Sequence, residues 1–227
     1  LSMARNISVQ KKIPVAFFSL EMSSVQLITR LISAETGLSS DKLRTGKLAD
    51  HEWQQLNVKV SDLESAPLYI DDSAALTIFE LRAKARRLKA EHNIGMIIVD
   101  YLQLMQGPRG VESRQQEISV ISRSLKALAK ELKIPVVALS QLSRAVEQRT
   151  EKRPQLSDLR ESGAIEQDAD VVLFLFRPWV YSQEDEDEGK AEIIVSKQRN
   201  GPTGIVQASF ISKYARFENL SQADTPF

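Results

Sequence analysis

Residues 96–100 read Met-Ile-Ile-Val-Asp, a run of four apolar residues followed directly by a carboxylate. Three more runs are apolar throughout, at residues 15–18, 136–139 and 171–176. Such runs are typical of strands buried on both faces of a parallel sheet, because a half-exposed strand alternates apolar and polar residues. The sequence therefore predicts four buried parallel strands.

Segments with helical periodicity separate these runs, at residues 25–35, 51–63, 77–90 and 115–132. Strands that alternate with helices predict a mostly parallel sheet with helices on both faces. A shorter strand is expected at residues 68–70. Further along, residues 191–196 and 205–211 flank an Asn-Gly pair and predict an antiparallel hairpin. The expected fold class is α/β, with a C-terminal antiparallel hairpin.

The composition excludes several classes of protein. The 227 residues include 30 Lys or Arg and 30 Asp or Glu, so the chain is not globally basic. The absence of cysteine excludes disulfide frameworks, thiolate metal sites and cysteine nucleophiles. No apolar run approaches the ~20 residues of a membrane span. We expect one soluble, cytoplasmic domain at residues 1–220 and a flexible tail at residues 221–227.

The polar residues that follow the apolar runs indicate where a ligand binds. Ligands of open parallel sheets lie beyond the carboxyl ends of the strands. Glu21, Asp100 and Gln141 follow three of the runs, and Arg177 follows the fourth. A carboxylate in the position of Asp100 can hold Mg²⁺ or its water shell, as a Walker B residue does, or it can cap a turn.

Each of the other two residues also has two interpretations. Glu21 can orient and deprotonate an attacking water, or it can be an exposed residue at a helix start. Gln141 can hydrogen-bond a terminal phosphate, or it can satisfy loop backbone. The phosphate-binding pattern G-x-x-x-x-G-K-[ST] occurs nowhere in the 227 residues, and we expect the sequence to begin just downstream of such a loop.

Five segments resemble, in order, the motifs of the DnaB-type bacterial replicative helicase, in its C-terminal RecA-like ATPase domain. They are residues 17–23 (Phe-Phe-Ser-Leu-Glu-Met-Ser), 99–105 (Val-Asp-Tyr-Leu-Gln-Leu-Met), 138–144 (Ala-Leu-Ser-Gln-Leu-Ser-Arg), 158–163 (Asp-Leu-Arg-Glu-Ser-Gly) and 197–202 (Lys-Gln-Arg-Asn-Gly-Pro). The resemblance spans about residues 1–220. The family's Walker A loop, linker helix and N-terminal collar domain have no counterpart in the sequence.

The resemblance implies a homo-hexameric ring that uses ATP and Mg²⁺ to move along single-stranded DNA and unwind it at the replication fork. It also implies a primase and a helicase loader as partners, and a cytoplasmic, nucleoid-associated location. By similarity, Glu21 is the catalytic glutamate, Asp100 binds the Mg²⁺ shell, and Gln141 senses the γ-phosphate. The position of Arg30 contacts the nucleotide in this family.

The resemblance also assigns the basic residues of the hairpin. Lys197 and Arg199 are two residues apart on an expected strand and share a face. They are either edge-strand charges that discourage aggregation, or an arginine-finger pair that reaches the nucleotide of the neighbouring subunit. Gln198, between them, belongs to the same nucleotide-binding motif.

Two segments are candidate DNA contacts. Arg160, Glu161 and Gly163 resemble the family's central-channel loop, although an isolated Arg-Glu pair is ordinarily a surface ion pair. Arg109 and Arg114 form a second candidate.

Two rival functions stay open. One is a RecA-like ATPase of recombination or a clock-type ring ATPase, and the other is a non-catalytic interaction module. Without a phosphate loop, we expect the 227 residues alone to hydrolyse ATP poorly.

Overall fold

The computed structural model describes residues 1–108, 110–111 and 113–220, and the side chains of residues 160–162 lie outside this description. The chain divides into two compact units between Gln141 and Leu142. Treating residues 1–220 as one functional domain remains a prediction. The expected tail at residues 221–227 lies outside the described residues.

The first unit is built on a parallel sheet with the strand order β2-β1-β3-β4. Its strands are β1 (Val15–Ser19), β2 (Leu68–Asp71), β3 (Met96–Asp100) and β4 (Val136–Ala138). All five residues of β1 are buried, as their uninterrupted apolar pattern predicts. The parallel pairing of three of the predicted runs, and of the shorter strand at residues 68–70, is confirmed. The expected burial of residues 136–139 is wrong, because β4 is half-buried and Leu139 is exposed.

The helices of the first unit are α1 (Ser2–Arg5), α2 (Ser24–Thr36), α3 (Ser40–Thr45), α4 (Asp50–Glu64), α5 (Ile78–His92) and α6 (Arg114–Leu132). A π-helical turn, Asn6–Gln10, follows α1, and a 3₁₀ turn, Leu102–Leu104, follows β3. The four predicted helical segments correspond to α2, α4, α5 and α6.

Local sequence signals fix the ends of α2. Ser23 accepts a hydrogen bond from the backbone of Gln26, and the Gln26 side chain accepts one from the Ser23 N–H, which forms a capping box. Gly37 ends the helix with φ at +69°, a left-handed conformation that glycine adopts without strain. Because α2 begins at Ser24, the turn between β1 and α2 is short and ends close to the carboxyl edge of the sheet.

The second unit is built on an antiparallel sheet with the strand order β5-β6-β7-β8. Its strands are β5 (Val171–Phe176), β6 (Lys190–Gln198), β7 (Gly204–Ile211) and β8 (Arg216–Asn219). The helices are α7 (Ala145–Gln148), α8 (Gly163–Asp168) and α9 (Trp179–Ser182), with 3₁₀ turns at Leu156–Ser162, Asp185–Asp187 and Ser212–Tyr214. The predicted hairpin is confirmed as the β6–β7 pair.

The prediction that residues 171–176 form a parallel strand is wrong. β5 pairs antiparallel with β6, and its side chains alternate between exposed Val171, Leu173 and Leu175 and buried Val172 and Phe174. An apolar run does not specify the partner of a strand, and consecutive strands can pair antiparallel without a crossover. Arg177, which follows β5, accordingly lies in the second unit, with its guanidinium 4.0 Å from the Phe210 ring centroid.

Within the described part of the chain, no helix is both long and apolar enough to cross a membrane.

Candidate functional site

The carboxyl ends of the parallel strands form a polar cleft in the first unit. Residues of β1 and β3 are in register, so that Ser19 lies beside Asp100 at the edge of the sheet. Glu21 and Gln141 lie just beyond β1 and β4. A cleft of about 240 Å³ is lined by Glu21, Asp100, Tyr101, Leu139, Ser140 and Gln141. The structure thus brings together the three strand-end residues that the sequence singled out in this unit.

The turn after β1 places Glu21 at the cleft. The buried Ser19 hydroxyl donates to the Met22 carbonyl at 2.7 Å and accepts from the Met22 N–H at 3.2 Å. The Leu20 N–H donates to the Asp100 carbonyl at 2.7 Å. These bonds fix the backbone on both sides of Glu21, whose side chain is exposed.

The charges around Asp100 oppose each other. Burial raises the pKa of the Asp100 carboxyl above its usual range; the nearby Glu21 carboxylate also raises it, and Arg30 lowers it. Arg30, exposed on α2, therefore lies within electrostatic range of Asp100, as its expected nucleotide contact requires. Two carboxylates in a partly desolvated cleft repel each other, and a cation relieves this repulsion.

The side chains present fit Mg²⁺ as part of a nucleotide complex. Carboxylate and carboxamide oxygens are hard ligands of the kind that Mg²⁺ prefers. In the described ranges, however, no group of three or more His, Cys, Asp or Glu residues could hold a metal ion by itself. A magnesium ion here would depend on phosphate and water oxygens for most of its ligands, as is usual for Mg²⁺ at nucleotide sites.

Gln103 is a site residue that sequence reasoning missed. Its Nε2 donates to the Ser140 hydroxyl at 3.0 Å and to the Gln141 carbonyl at 3.2 Å. Its Oε1 accepts the Gln141 N–H at 3.1 Å. Gln103 lies inside one of the segments that resemble the helicase motifs, and that position was the only signal in the sequence.

Arg114 is tied to the main chain near Gln103. Its guanidinium donates to the Gln103 carbonyl, contacts the Met105 carbonyl at 3.5 Å and pairs with Glu117. The Gly107 N–H donates to Glu117 at 2.6 Å and, with Arg114, holds the pKa of that carboxyl below its usual range. DNA binding by Arg114 stays a prediction, and Arg109 lies outside the described residues.

Lys197 and Arg199 face the end of α8 in the second unit. The Lys197 ammonium donates to the Glu166 carbonyl and lies 3.4 Å from the Gln167 carbonyl. Arg199 donates to the same Gln167 carbonyl at 2.7 Å, and its Nε lies 3.5 Å from Asp170. The expectation that both residues lie on one strand is wrong for Arg199, because β6 ends at Gln198 and Arg199 belongs to the turn that follows. The two side chains nevertheless point to the same side, since both contact the Gln167 carbonyl.

The predicted channel loop is helical, at the junction of a 3₁₀ turn and α8. Residues 160 and 161 belong to the 3₁₀ turn Leu156–Ser162, and Gly163 begins α8. Among the described residues, no atom within 4 Å would meet a Cβ at Gly163, apart from its chain neighbours and its own helix backbone. Asp158 anchors the turn: its carboxylate accepts the Gln155 N–H at 2.7 Å and pairs with Arg149 at 2.8 Å.

The sequence matches the family described as DnaB-like helicase C terminal domain over residues 1–219. The chain belongs to this family. It is 53% identical to the replicative DNA helicase DnaB of Geobacillus stearothermophilus over 223 residues, which cover 98% of this chain and 49% of that protein. The replicative DNA helicase DnaC of Bacillus subtilis (strain 168) is 50% identical over 98% of this chain and 49% of its own length. The chain spans about half the length of these curated relatives.

Solved structures of the DnaB-like family agree with the fold. One ATPase domain superposes with a TM-score of 0.92 at 39% identity, covering 96% of this chain and 78% of that one. A DnaB-like replicative helicase, solved in a study of its interactions with primase, has the same TM-score and identity and covers 97% of this chain and 53% of that one. The resemblance and the RecA-like fold class are therefore confirmed.

Proposed function

We propose that this chain is the ATPase motor of a hexameric replicative DNA helicase, which couples ATP hydrolysis to translocation on single-stranded DNA and to unwinding at the replication fork. The observation that carries the proposal is the cleft in which Glu21, Asp100 and Gln141 meet at the carboxyl edge of a parallel sheet. Membership of the helicase family supports the same reaction.

Each cleft residue has a chemical role in the proposed hydrolysis of ATP. Glu21, exposed on a fixed turn, orients a water molecule and accepts its proton as it attacks the γ-phosphate. Asp100 holds Mg²⁺ directly or through water, and the metal supplies charge neutralisation to the phosphates. Gln141 hydrogen-bonds the γ-phosphate, and Arg30 contributes positive charge beside the nucleotide.

Lys197, Gln198 and Arg199 complete a site on the neighbouring subunit in this proposal. A hairpin that presents two cations is suited to stabilise the charge that develops on a transferring phosphoryl group. The active site then belongs to the ring and not to one chain, and hydrolysis is expected to require the hexamer.

The DNA contacts are proposed for the segment with Arg160, Glu161 and Gly163, and for Arg109. Arg114 is a weaker candidate for a DNA contact, because its guanidinium donates to the Gln103 carbonyl and pairs with Glu117. Six copies of such a segment can follow the backbone of one DNA strand without reading its sequence. A primase is a proposed partner because a DnaB-like helicase has been solved in a study of its interactions with primase. A helicase loader is a further proposed partner, and the proposed location is the cytoplasm at the nucleoid.

The test is ATP hydrolysis and strand displacement by a hexamer in which a G-x-x-x-x-G-K-[ST] loop precedes this chain. We expect turnover stimulated by single-stranded DNA, and displacement of a strand from a forked duplex. Glu21→Gln should lower the rate by about 10²-fold or more, and Arg199→Ala by about 10³-fold or more. The control is Arg44→Ala, because Arg44 is exposed on α3 and pairs only with exposed Asp41 among the described residues.

Mixing the two inactive variants tests the shared site. In a 1:1 mixture, about one quarter of the head-to-tail interfaces in random hexamers combine an intact Glu21 of one subunit with an intact Arg199 of the next. Activity should return in the mixture. No ATPase in the parent hexamer would refute the proposed function, and hydrolysis without displacement of forked DNA would favour the recombination or clock-type rival. If the 227 residues bind no Mg-ATP and the longer protein hydrolyses none, the interaction module is favoured.

A further inference from the structure

We infer that Gln103 is a positioning residue for Gln141, and that Arg114 is in turn a positioning residue for Gln103. The first step is carried by the hydrogen bonds between the Gln103 carboxamide and the main chain. Both hydrogen-bonding groups of the Gln141 backbone, its N–H and its C=O, are bound by this one side chain, at 3.1 and 3.2 Å. We call this arrangement the Gln103 clasp.

The Gln103 clasp continues the sheet beyond the end of β4. The Leu139 N–H donates to the Val99 carbonyl, and the Leu102 N–H donates to the Leu139 carbonyl, both at 2.9 Å. After Leu102 the main chain enters a 3₁₀ turn and no longer runs beside residues 140 and 141. The planar carboxamide of Gln103 takes the place of a peptide group there, because it carries the same donor and acceptor.

The clasp fixes the backbone of Gln141 and leaves its side chain available. The Gln141 side chain is exposed, and its amide has no hydrogen-bond partner among the described residues. It therefore projects from a fixed main chain at a cleft that Glu21 and Asp100 also line. A group that must meet a phosphate in one geometry gains most when its backbone does not have to be ordered first.

Arg114 fixes the main chain of Gln103. Its guanidinium bonds the Gln103 carbonyl, lies 3.5 Å from the Met105 carbonyl and pairs with Glu117 on the next turn of α6. Three separate partners use the fork of donors that arginine has and lysine lacks. A side chain held in this way supports the turn at residues 102–105 and, through it, the Gln103 clasp.

The inference rests on the proposed role of Gln141 at the γ-phosphate, and the first test measures turnover in the active hexamer. Gln103→Ala should lower kcat by about tenfold, with KM for ATP within about twofold, because a group that acts mainly in the transition state is displaced. Gln103→Glu keeps the acceptor for the Gln141 N–H and loses the donor to the Gln141 carbonyl. Its kcat should therefore lie between those of the parent and of Gln103→Ala. Gln54→Ala, at an exposed glutamine of α4, is the control.

A double-mutant cycle separates positioning from general destabilisation. If Gln103 acts through Gln141, the variant that carries Gln103→Ala and Gln141→Ala should be no slower than Gln141→Ala alone. The inference would be overturned if the loss of kcat in the double variant equalled the product of the losses in the two single variants. A Gln103→Ala hexamer with the kcat of the parent would also overturn it.

Amide hydrogen exchange in the 227-residue chain tests the clasp without any catalysis. The Gln141 amide should exchange about tenfold faster in Gln103→Ala than in the parent chain, since it loses its acceptor. Unchanged exchange would refute the clasp whether or not the hexamer hydrolyses ATP. A parent hexamer without ATPase, combined with faster exchange in the variant, would refute the proposed function and leave the positioning contact established.

Arg114→Lys decides between positioning and a DNA contact. Lysine retains the charge but not the fork, so the inference expects a lower kcat in Arg114→Lys with the affinity for a dT oligonucleotide unchanged. If Arg114 contacts a DNA phosphate, Arg114→Ala should weaken oligonucleotide binding and reduce the slope of log affinity against log salt concentration by about 1. Arg114→Lys should then bind the oligonucleotide with nearly the affinity of the parent. Arg44→Lys is the matched control. Parent-like kcat in Arg114→Lys would overturn the role given to Arg114.

Discussion

Replacing Asp158 with alanine should destabilise the second unit by about 3 kcal/mol, the usual cost of removing one partner of a buried ion pair. The side chain of Asp158 is 6% exposed, and that of Arg149 is 31% exposed. The carboxylate also accepts the Gln155 N–H at 2.7 Å, a charge-assisted bond worth about 1.5–3 kcal/mol. The two contributions overlap because they share one carboxylate oxygen, so the expected loss is smaller than their sum.

Arg149 is the reason for a loss of this size. Among the described residues its Nε is buried and has no hydrogen-bond partner, so the contacts of its terminal nitrogen with Asp158 and with the Arg153 carbonyl compensate for its burial, and Asp158 supplies the charged one. Asp158→Asn keeps an acceptor but loses the charge, and it should cost about half as much as alanine. Asp41→Ala removes an ion pair whose side chains are 74% and 75% exposed, and it should cost less than about 1 kcal/mol.

Urea denaturation and amide exchange at residues 155–158 measure these differences. The segment leads directly into residues 160–163, the proposed DNA contact, so Asp158→Ala should also weaken binding of a dT oligonucleotide. Equal unfolding free energies for Asp158→Ala and Asp41→Ala would refute the reasoning from burial. Unchanged oligonucleotide affinity in a destabilised variant would show that the anchored turn does not present the DNA contact.

Two further predictions concern the cleft and the hairpin. Because burial raises the pKa of Asp100, the folded chain binds this proton more tightly than the unfolded chain. Asp100→Asn should therefore raise the unfolding free energy at pH 7 without Mg²⁺, and this gain should disappear as the pH falls below about 4. Urea unfolding of both proteins across this pH range measures the gain. A gain that does not change with pH would contradict the prediction. Lys197→Ala and Arg199→Ala should each speed amide exchange in α8 by about two- to fivefold, because each removes a cation from the carbonyls at the C-terminal end of α8. Exchange rates identical to those of the parent chain would show that these contacts do not stabilise the helix.

The parts of the site that sequence could predict follow general rules of parallel sheets. Glu21, Asp100 and Gln141 were found because each follows an apolar run, and the carboxyl ends of parallel strands meet at one edge. The strand pattern was less informative for residues 171–176, since hydrophobicity reports burial and not the direction of a partner strand. The connection from β5 to β6 is local, and antiparallel pairing needs no crossover.

Gln103 and Arg114 could not be assigned from sequence for a different reason. The Gln103 carboxamide binds the main chain of a residue 38 positions away, and every residue offers the same backbone groups, so no pairing of side-chain types marks the contact. The sequence shows that Arg114 is charged but not that its donors are directed to carbonyl oxygens. Positive charge in a loop is therefore weak evidence of a DNA contact until the partners of each donor are known.

The two cations of the hairpin, Lys197 and Arg199, differ in how many N–H donors they leave for a phosphate. Lysine has three N–H donors, and Lys197 directs its ammonium at the carbonyls of Glu166 and Gln167, so one donor is left for a phosphate on a side chain that is only half-exposed. Arginine has five, and among the described residues Arg199 contacts Gln167 through one terminal nitrogen and Asp170 through Nε, which leaves the other terminal nitrogen for a phosphate. Arg199 is exposed and keeps more donors, so it can reach a neighbouring nucleotide while it remains attached to its own subunit. Within the proposed function, the arginine therefore supplies the main phosphate contact, and the half-exposed lysine mainly ties the hairpin to the end of α8.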